Sequence, residues 1–452
     1  MTLDQQSHPA RRLVLALAAV CLPGTAVARG AAFAGPSVGP VPLEFILFAC
    51  VLAGVALFHK SALRIALGGA LVIALYKMLL SPFNTGTGLA GFVGHVGHEW
   101  VILVNLLLLL LGFALLADLF EKSKVPALLP RVMPDDWKGC FVLLALVFVL
   151  SSFLDNIAAA IIGGAVAHTV FKGRVHIGYL AAIVAASNAG GAGSVVGDTT
   201  TTMMWIAGVH PLDVAEAFVA STVALVICGI PASLQQQAYQ PIQKDADTGV
   251  RIDWPRVAIV LFILVAAIVV NVVINTRFNA WSDLFPFLGA AVWLAIGLCT
   301  LIRQPHWGLL PDAARGALFL LSLVLSASMM PVEQLPAASW QTTFGLGFVS
   351  AVFDNIPLTE LALKQGGYDW GFLAYAVGFG GSMVWFGSSA GVALSSMYPQ
   401  ARSVGLWIRH GWHVPVAYVV GFAVMLLLIG FQPDAELKSS NAASVTVPAA
   451  LK

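Results

Sequence analysis

The chain has 452 residues, of which 59% are hydrophobic and 10% charged, against about 25% charged in an average soluble protein. This excludes a soluble globular domain and predicts an all-α polytopic membrane protein, with the lipid bilayer as its surroundings. A net charge of +1 leaves no electrostatic footprint for nucleic acid.

In chain order, residues 1–28 read as a signal peptide. Arg11 and Arg12 precede the apolar run Leu13 to Leu22, and Ala26-Val27-Ala28 gives a small-x-small cleavage pattern. The alternative is an uncleaved first helix, shortened by Pro23 and Gly24. Membrane spans are predicted at 43–59, 62–80, 100–119, 177–209, 213–231, 255–275, 283–302, 313–330, 370–398 and 411–430. Two further apolar stretches, 139–170 and 343–364, carry Asp155-Asn156 and Asp354-Asn355 near their middles. Neither arm of these stretches can cross about 30 Å of hydrocarbon at about 1.5 Å per residue. Both are therefore predicted to be re-entrant helical hairpins with Asp-Asn at the tip; the alternative is one kinked spanning helix each.

Charge placement supports the hairpins. With the N-terminus outside after cleavage, Lys122, Lys124, Arg131, Lys138, Lys172, Arg174, Lys244, Arg251, Arg256 and Arg303 fall inside, and Lys77, Arg277 and Lys364 outside. The first hairpin then opens to the cytoplasm and the second to the opposite side. Residues 43–231 and 255–430 become two inverted repeats, each of five spans and a hairpin, joined by a cytoplasmic linker at 232–254. The tail 431–452 is polar. The expected location is the inner (cytoplasmic) membrane, with both termini outside. The five cysteines stand singly and read as buried thiols.

The chemistry is expected where the sequence repeats itself. Asp155 and Asp354 are carboxyls inside apolar sequence, which membrane proteins retain mainly for function. A desolvated carboxyl favours a proton and a neighbouring cation displaces it, so one group can hold either. Each Asp can also cap the helix that follows it. Asn156 and Asn355 add amide donors and acceptors. Each hairpin is followed by a glycine-rich break that can expose backbone carbonyls. The first comprises Ser187, Asn188, Gly190, Gly191, Asp198 and Thr199; the second comprises Gly380, Gly381, Ser382, Ser388 and Ser389. Such oxygen ligands suit a hard cation. Asp198 has no acidic counterpart in the second break. Thr359 and Glu360 follow the second tip, and Glu360 faces either the same cavity or outer water. Glu44 and Asp118 read as boundary residues. His95, His98 and Glu99 fall in a predicted outer loop and read as solvated residues, with a pH-responsive role as the alternative; their spacing is not that of a helical His-Glu-x-x-His zinc site.

The string from Ser187 to Ile206 closely resembles the signature of NhaD-type sodium/proton antiporters, of the ion transporter superfamily that also holds arsenite permeases and citrate carriers. Phe353-Asp354-Asn355-Ile356-Pro357-Leu358, Gly380-Gly381-Ser382 and Gly387-Ser388-Ser389-Ala390-Gly391 resemble that family's second-half signatures. The resemblance covers about residues 43 to 430. It implies inverted repeats with broken helices meeting at the bilayer midplane, a homodimer, no cofactor, and exchange of Na⁺ or Li⁺ for H⁺. The expected Na⁺ ligands are Asp155, Asn156, Asn188, Asp198, Asp354 and Asn355. The chain departs from the family in reading Ala158-Ala159-Ala160 after the first tip, without threonines, and in having Gly193 where a larger residue is usual, which would widen the site.

Two other readings compete. An organic-anion or oxyanion carrier (citrate, dicarboxylate, arsenite) would favour neutral or positive site groups, against three buried acids. An intramembrane aspartyl protease would need Tyr-Asp and Gly-x-Gly-Asp, whereas Leu154 precedes Asp155 and Val196-Gly197 precede Asp198.

Overall fold

The computed structural model describes residues 35–58, 61–243, 251–278, 281–282 and 284–433. The signal peptide, the middle of the linker with Lys244, and the tail beyond 433 lie outside the described residues. A short strand pair, β1 (Ser37–Val38) and β2 (Val41–Pro42), precedes the helices. These are α1 (Leu43–Leu57), α2 (Ala62–Leu80), α3 (Gly88–Lys122), α4 (Leu129–Val132), α5 (Trp137–Ser151), α6 (Asn156–Val170), α7 (Ile177–Ala192), α8 (Thr199–Ile206), α9 (Pro211–Ala215) and α10 (Ala217–Tyr239). There follow α11 (Trp254–Arg277), α12 (Phe287–Cys299), α13 (Leu310–Ser328), α14 (Trp340–Ser350), α15 (Asn355–Gln365), α16 (Trp370–Gly380), α17 (Ser389–Met397), α18 (Val404–His410) and α19 (His413–Leu428).

Among the described residues, five helical segments are long and apolar enough to cross a membrane alone; α18 and α19, bent by 59°, make a sixth if taken together. The chain is a polytopic all-α membrane protein. Predicted spans 177–209 and 370–398 are each split, into α7 with α8 and α16 with α17, because the glycine-rich segments leave the helical conformation there. Helix α10 runs to Tyr239, so the polar residues after 231 form its last two turns.

Both Asp-Asn stretches reverse direction. A Cβ added at Gly163 in α6 would stand 2.5 Å from Val147 of α5, whereas sixteen residues of straight helix span about 24 Å. In the second, Gln365 Nε2 at the end of α15 donates to Pro336 O, before α14 begins, at 2.7 Å. Each stretch is therefore a pair of helices folded back at the residue before Asn.

Helices α7 and α16 are central. Residues 178–192 and 370–380 are buried throughout, as expected of helices that are apolar on every face. The packing partners come in matching sets. Helix α7 lies against α5 and α10, and α16 lies against α14 and α19. Helix α6 packs on α17, and α15 packs on α8. Helix α1 packs on α2 as α11 does on α12; α2 reaches α13 as α12 reaches α3. A smaller apolar cluster joins α1, α2 and α13 through Phe48, Val51, Ile73 and Leu323.

Candidate functional site

Glycine is required where α7 and α16 meet the hairpins. A Cβ at Gly190 would fall 2.0 Å from Phe148 O, and one at Gly380 would fall 2.3 Å from Gly347 O. Gly191 and Gly381 meet the carbonyls of Gly197 and Gly387, 2.7 Å away in each case. These close approaches seat each break against the hairpin of its own half and fold it back on itself.

Four helix N-termini then meet, each closed by its own cap. Asp155 accepts from Ile157 N at 3.2 Å, and Asp354 from Ile356 N at 3.0 Å. Asp198 accepts from Thr200 N at 3.4 Å, and Ser388 from Gly391 N at 3.3 Å. Such N-termini carry partial positive charge, which favours carboxylates beside them. Capping therefore accounts for part of the role of each Asp.

Side chains join the two halves of the chain. Asn156 Nδ2 donates to Asn188 Oδ1 at 3.1 Å; Asn188 Nδ2 donates to Ser382 Oγ at 2.9 Å and Ser388 Oγ at 3.1 Å. Asn355 Nδ2 donates to Asp198 Oδ2 at 3.3 Å, and Ser389 Oγ to Asp354 Oδ2 at 3.3 Å. Asn156, Asn188, Asp198, Asn355, Ser382 and Ser388 are buried, whereas Asp155 and Asp354 are half-buried. Asp198 lies within electrostatic reach of both other aspartates. Yet among the described residues no three His, Cys, Asp or Glu side chains converge tightly enough to hold a metal ion by themselves. A cation here would need amide, hydroxyl and carbonyl oxygens beside one or two carboxylates.

The remaining candidates are placed as follows. Ser187 is buried but spends its hydroxyl on Val184 O in its own helix, and Thr359 likewise on Asn355 O. Thr199 is buried in the first turn of α8. Gly193 does not widen the site: the Phe218 ring fills the space, 2.5 Å from where a Cβ would stand. Glu360 is buried and is directed at Lys364. Glu44 is buried and accepts from Ser81, while Asp118 pairs with Lys122 at the end of α3. Cys140, Cys228 and Cys299 are buried thiols but Cys50 is exposed, and Cys21 lies outside the described residues.

The loop expected around His95 is instead part of α3, which begins at Gly88. His95 and Glu99 are buried, with His95 Nε2 3.0 Å from Ser328 Oγ and Glu99 paired with Lys364. Gly91 and Gly94 let the helix pass close to Gly86 and Thr85. Further polar contacts escaped the sequence reading. Ser152 donates to Gly190 O, Ser194 to Ser152 O, Ser350 to Val377 O and Trp407 Nε1 to Ser382 O. Hydroxyls beside each tip were the available signal for the serines; nothing local marked Trp407.

No family model matches the chain. It is 30% identical over 330 residues to "Sodium/proton antiporter 1" of Arabidopsis thaliana, covering 63% of this chain and 53% of that one. "Sodium/proton antiporter 2" of the same plant is 28% identical over 326 residues, 63% of this chain and 73% of its own. "Na(+)/H(+) antiporter NhaD" of Alkalimonas amylolytica is 27% identical over 344 residues, 62% and 67% respectively. The chain thus spans about half the length of the first of these relatives. Over about 63% of its length the chain is thus similar to proteins named as sodium/proton antiporters, one of them of the NhaD type.

Proposed function

We propose that the chain is a secondary transporter that exchanges Na⁺ or Li⁺ for H⁺, without a cofactor. The observation that carries this reading is the meeting of Asn355 with Asp198, of Asn156 with Asn188, and of Asn188 with Ser388. The second tip thereby meets the broken helix of the first half, and the first tip is linked through Asn188 to the break of the second. The names of the related proteins give the cargo its chemical identity. Asp155, Asp198 and Asp354 are the groups that take up proton or cation in turn. Asn156, Asn188, Asn355 and the hydroxyls of Thr199, Ser382, Ser388 and Ser389 complete the cation's shell. A cation drawn to a carboxylate lowers its hold on a proton, and a bound proton removes the charge that holds the cation.

The matching packing sets support two inverted repeats, 43–231 and 255–430, with α5–α6 and α14–α15 as re-entrant hairpins from opposite faces. Rocking of the hairpins and breaks against the outer helices gives alternating access. The basic-residue bias supports a cytoplasmic 232–254 linker and both termini outside, in a protein of the inner membrane. The family resemblance supports a homodimer.

The test uses everted vesicles carrying a preformed proton gradient. Na⁺ or Li⁺ should dissipate it, K⁺ and Ca²⁺ should not, and citrate or succinate should not enter proteoliposomes. Carboxylate uptake without a Na⁺ response would turn the reading to an anion carrier.

A further inference from the structure

Away from the tips, two buried carboxyls meet a half-buried lysine between α3 and α15. Lys364 Nζ contacts Glu99 Oε1 and stands 3.9 Å from Glu360 Oε1. The two acid side chains are 4% and 2% exposed, and Lys364 is 21% exposed. Glu360 Oε1 has no hydrogen-bond partner, and Lys364 is the only cation paired with either acid among the described residues.

The surroundings add no balancing charge. Helix α3 brings His95, which sits against Ser328 of α13 and the Phe83 ring, and His98, which is exposed. Helix α2 brings Lys77, which donates to Met329 O and lies among Glu44 and Glu333. The charged residues of α13, Asp312 and Arg315, pair with each other at its far end. Helices α8, α14 and α16 contain no charged residue.

Two carboxylates sharing one ammonium leave a negative charge unbalanced where water is almost absent. An uncompensated buried charge is costly, and a single proton on Glu360 removes it. Glu360 lies six residues beyond Asp354 on the same helix, roughly 9 Å from the tip, and Lys364 continues toward the surface. We propose that Glu360 is a proton-binding group in its own right, held by Lys364 against Glu99 between the second hairpin tip and the water. It rests on these side chains alone and holds whatever the cargo is.

The test is labelling of the full-length protein in vesicles with an apolar carbodiimide, which adds to protonated buried carboxyls and leaves a stable N-acylurea. Adducts are located by mass spectrometry across a pH series, with Glu360→Gln identifying the peptide signal. The expected result is an adduct on Glu360 that falls off as pH rises. In Lys364→Met the adduct should persist to more alkaline pH by about one unit, a tenfold change in proton affinity. A Glu360 that is unlabelled, or labelled equally at every pH, overturns the proposal, as does a Lys364→Met curve that superimposes on the parent's. None of these readouts requires transport, so failure of the antiport reading would show separately.

Discussion

Asp198 and Ser388 hold the same place in the two breaks. Each caps the helix after its break, and each Cβ lies 3.1 Å from where a Cβ on Gly191 or Gly381 would stand. Asn188 likewise occupies the place of Gly378, where an added Cβ would come within 3.5 Å of Asp198 Oδ2. The first half thus supplies an acid and a bridging amide, and the second supplies a hydroxyl and open backbone. Asp155→Asn, Asp198→Asn and Asp354→Asn keep the size of each side chain but remove its charge. Each is expected to reduce Na⁺-driven proton flux by more than about tenfold, which corresponds to about 1.4 kcal/mol. Asn188→Ala strands Asn156, Ser382 and Ser388 in a buried network and should cost about 1–3 kcal/mol, read as thermal unfolding in detergent. The paired aspartates were legible in sequence because a carboxyl in an apolar run has no cheap structural explanation. Glu99 and Lys364 were not, because they are 265 residues apart and neither is unusual in its own neighbourhood.

At the scale of the element, the breaks depend on close backbone approach. Gly190→Ala and Gly380→Ala would push α7 off Phe148 O and α16 off Gly347 O. Each should destabilise the protein by about 1–3 kcal/mol. Gly345→Ala, in α14 with nothing within 4 Å of its added Cβ, should be neutral or stabilising by up to about 1 kcal/mol. Equal losses of stability in all three would contradict the packing account. The hairpins and breaks were legible because apolar runs too short to span carried polar residues midway. The 35-residue length of α3 was not legible. Its glycines signal a loop locally, and only the packing of Thr85, Gly86 and Ser328 around them shows the helix is supported there.

For the whole molecule, the proposed inverted arrangement predicts that the opening ends of the two hairpins face opposite sides of the membrane. Lys138 and Ala337, both exposed, mark those ends. With single cysteines in a cysteine-free background, a membrane-impermeant maleimide should label Ala337→Cys in intact cells and Lys138→Cys only after permeabilisation. Labelling of both from one side would rule out the inversion. The bias of basic loops is the sequence signal for this proposed orientation, whereas the pairing of α6 with α17 and α15 with α8 required three dimensions.

The most direct test of the site is one assay on three proteins. Everted vesicles expressing the parent, Asp155→Asn or Asp354→Asn to equal levels are given a proton gradient and then Na⁺. The account predicts that the gradient collapses with the parent and persists with both variants. It would be contradicted by a parent that does not respond to Na⁺ at any neutral or alkaline pH, or by variants that dissipate the gradient as the parent does.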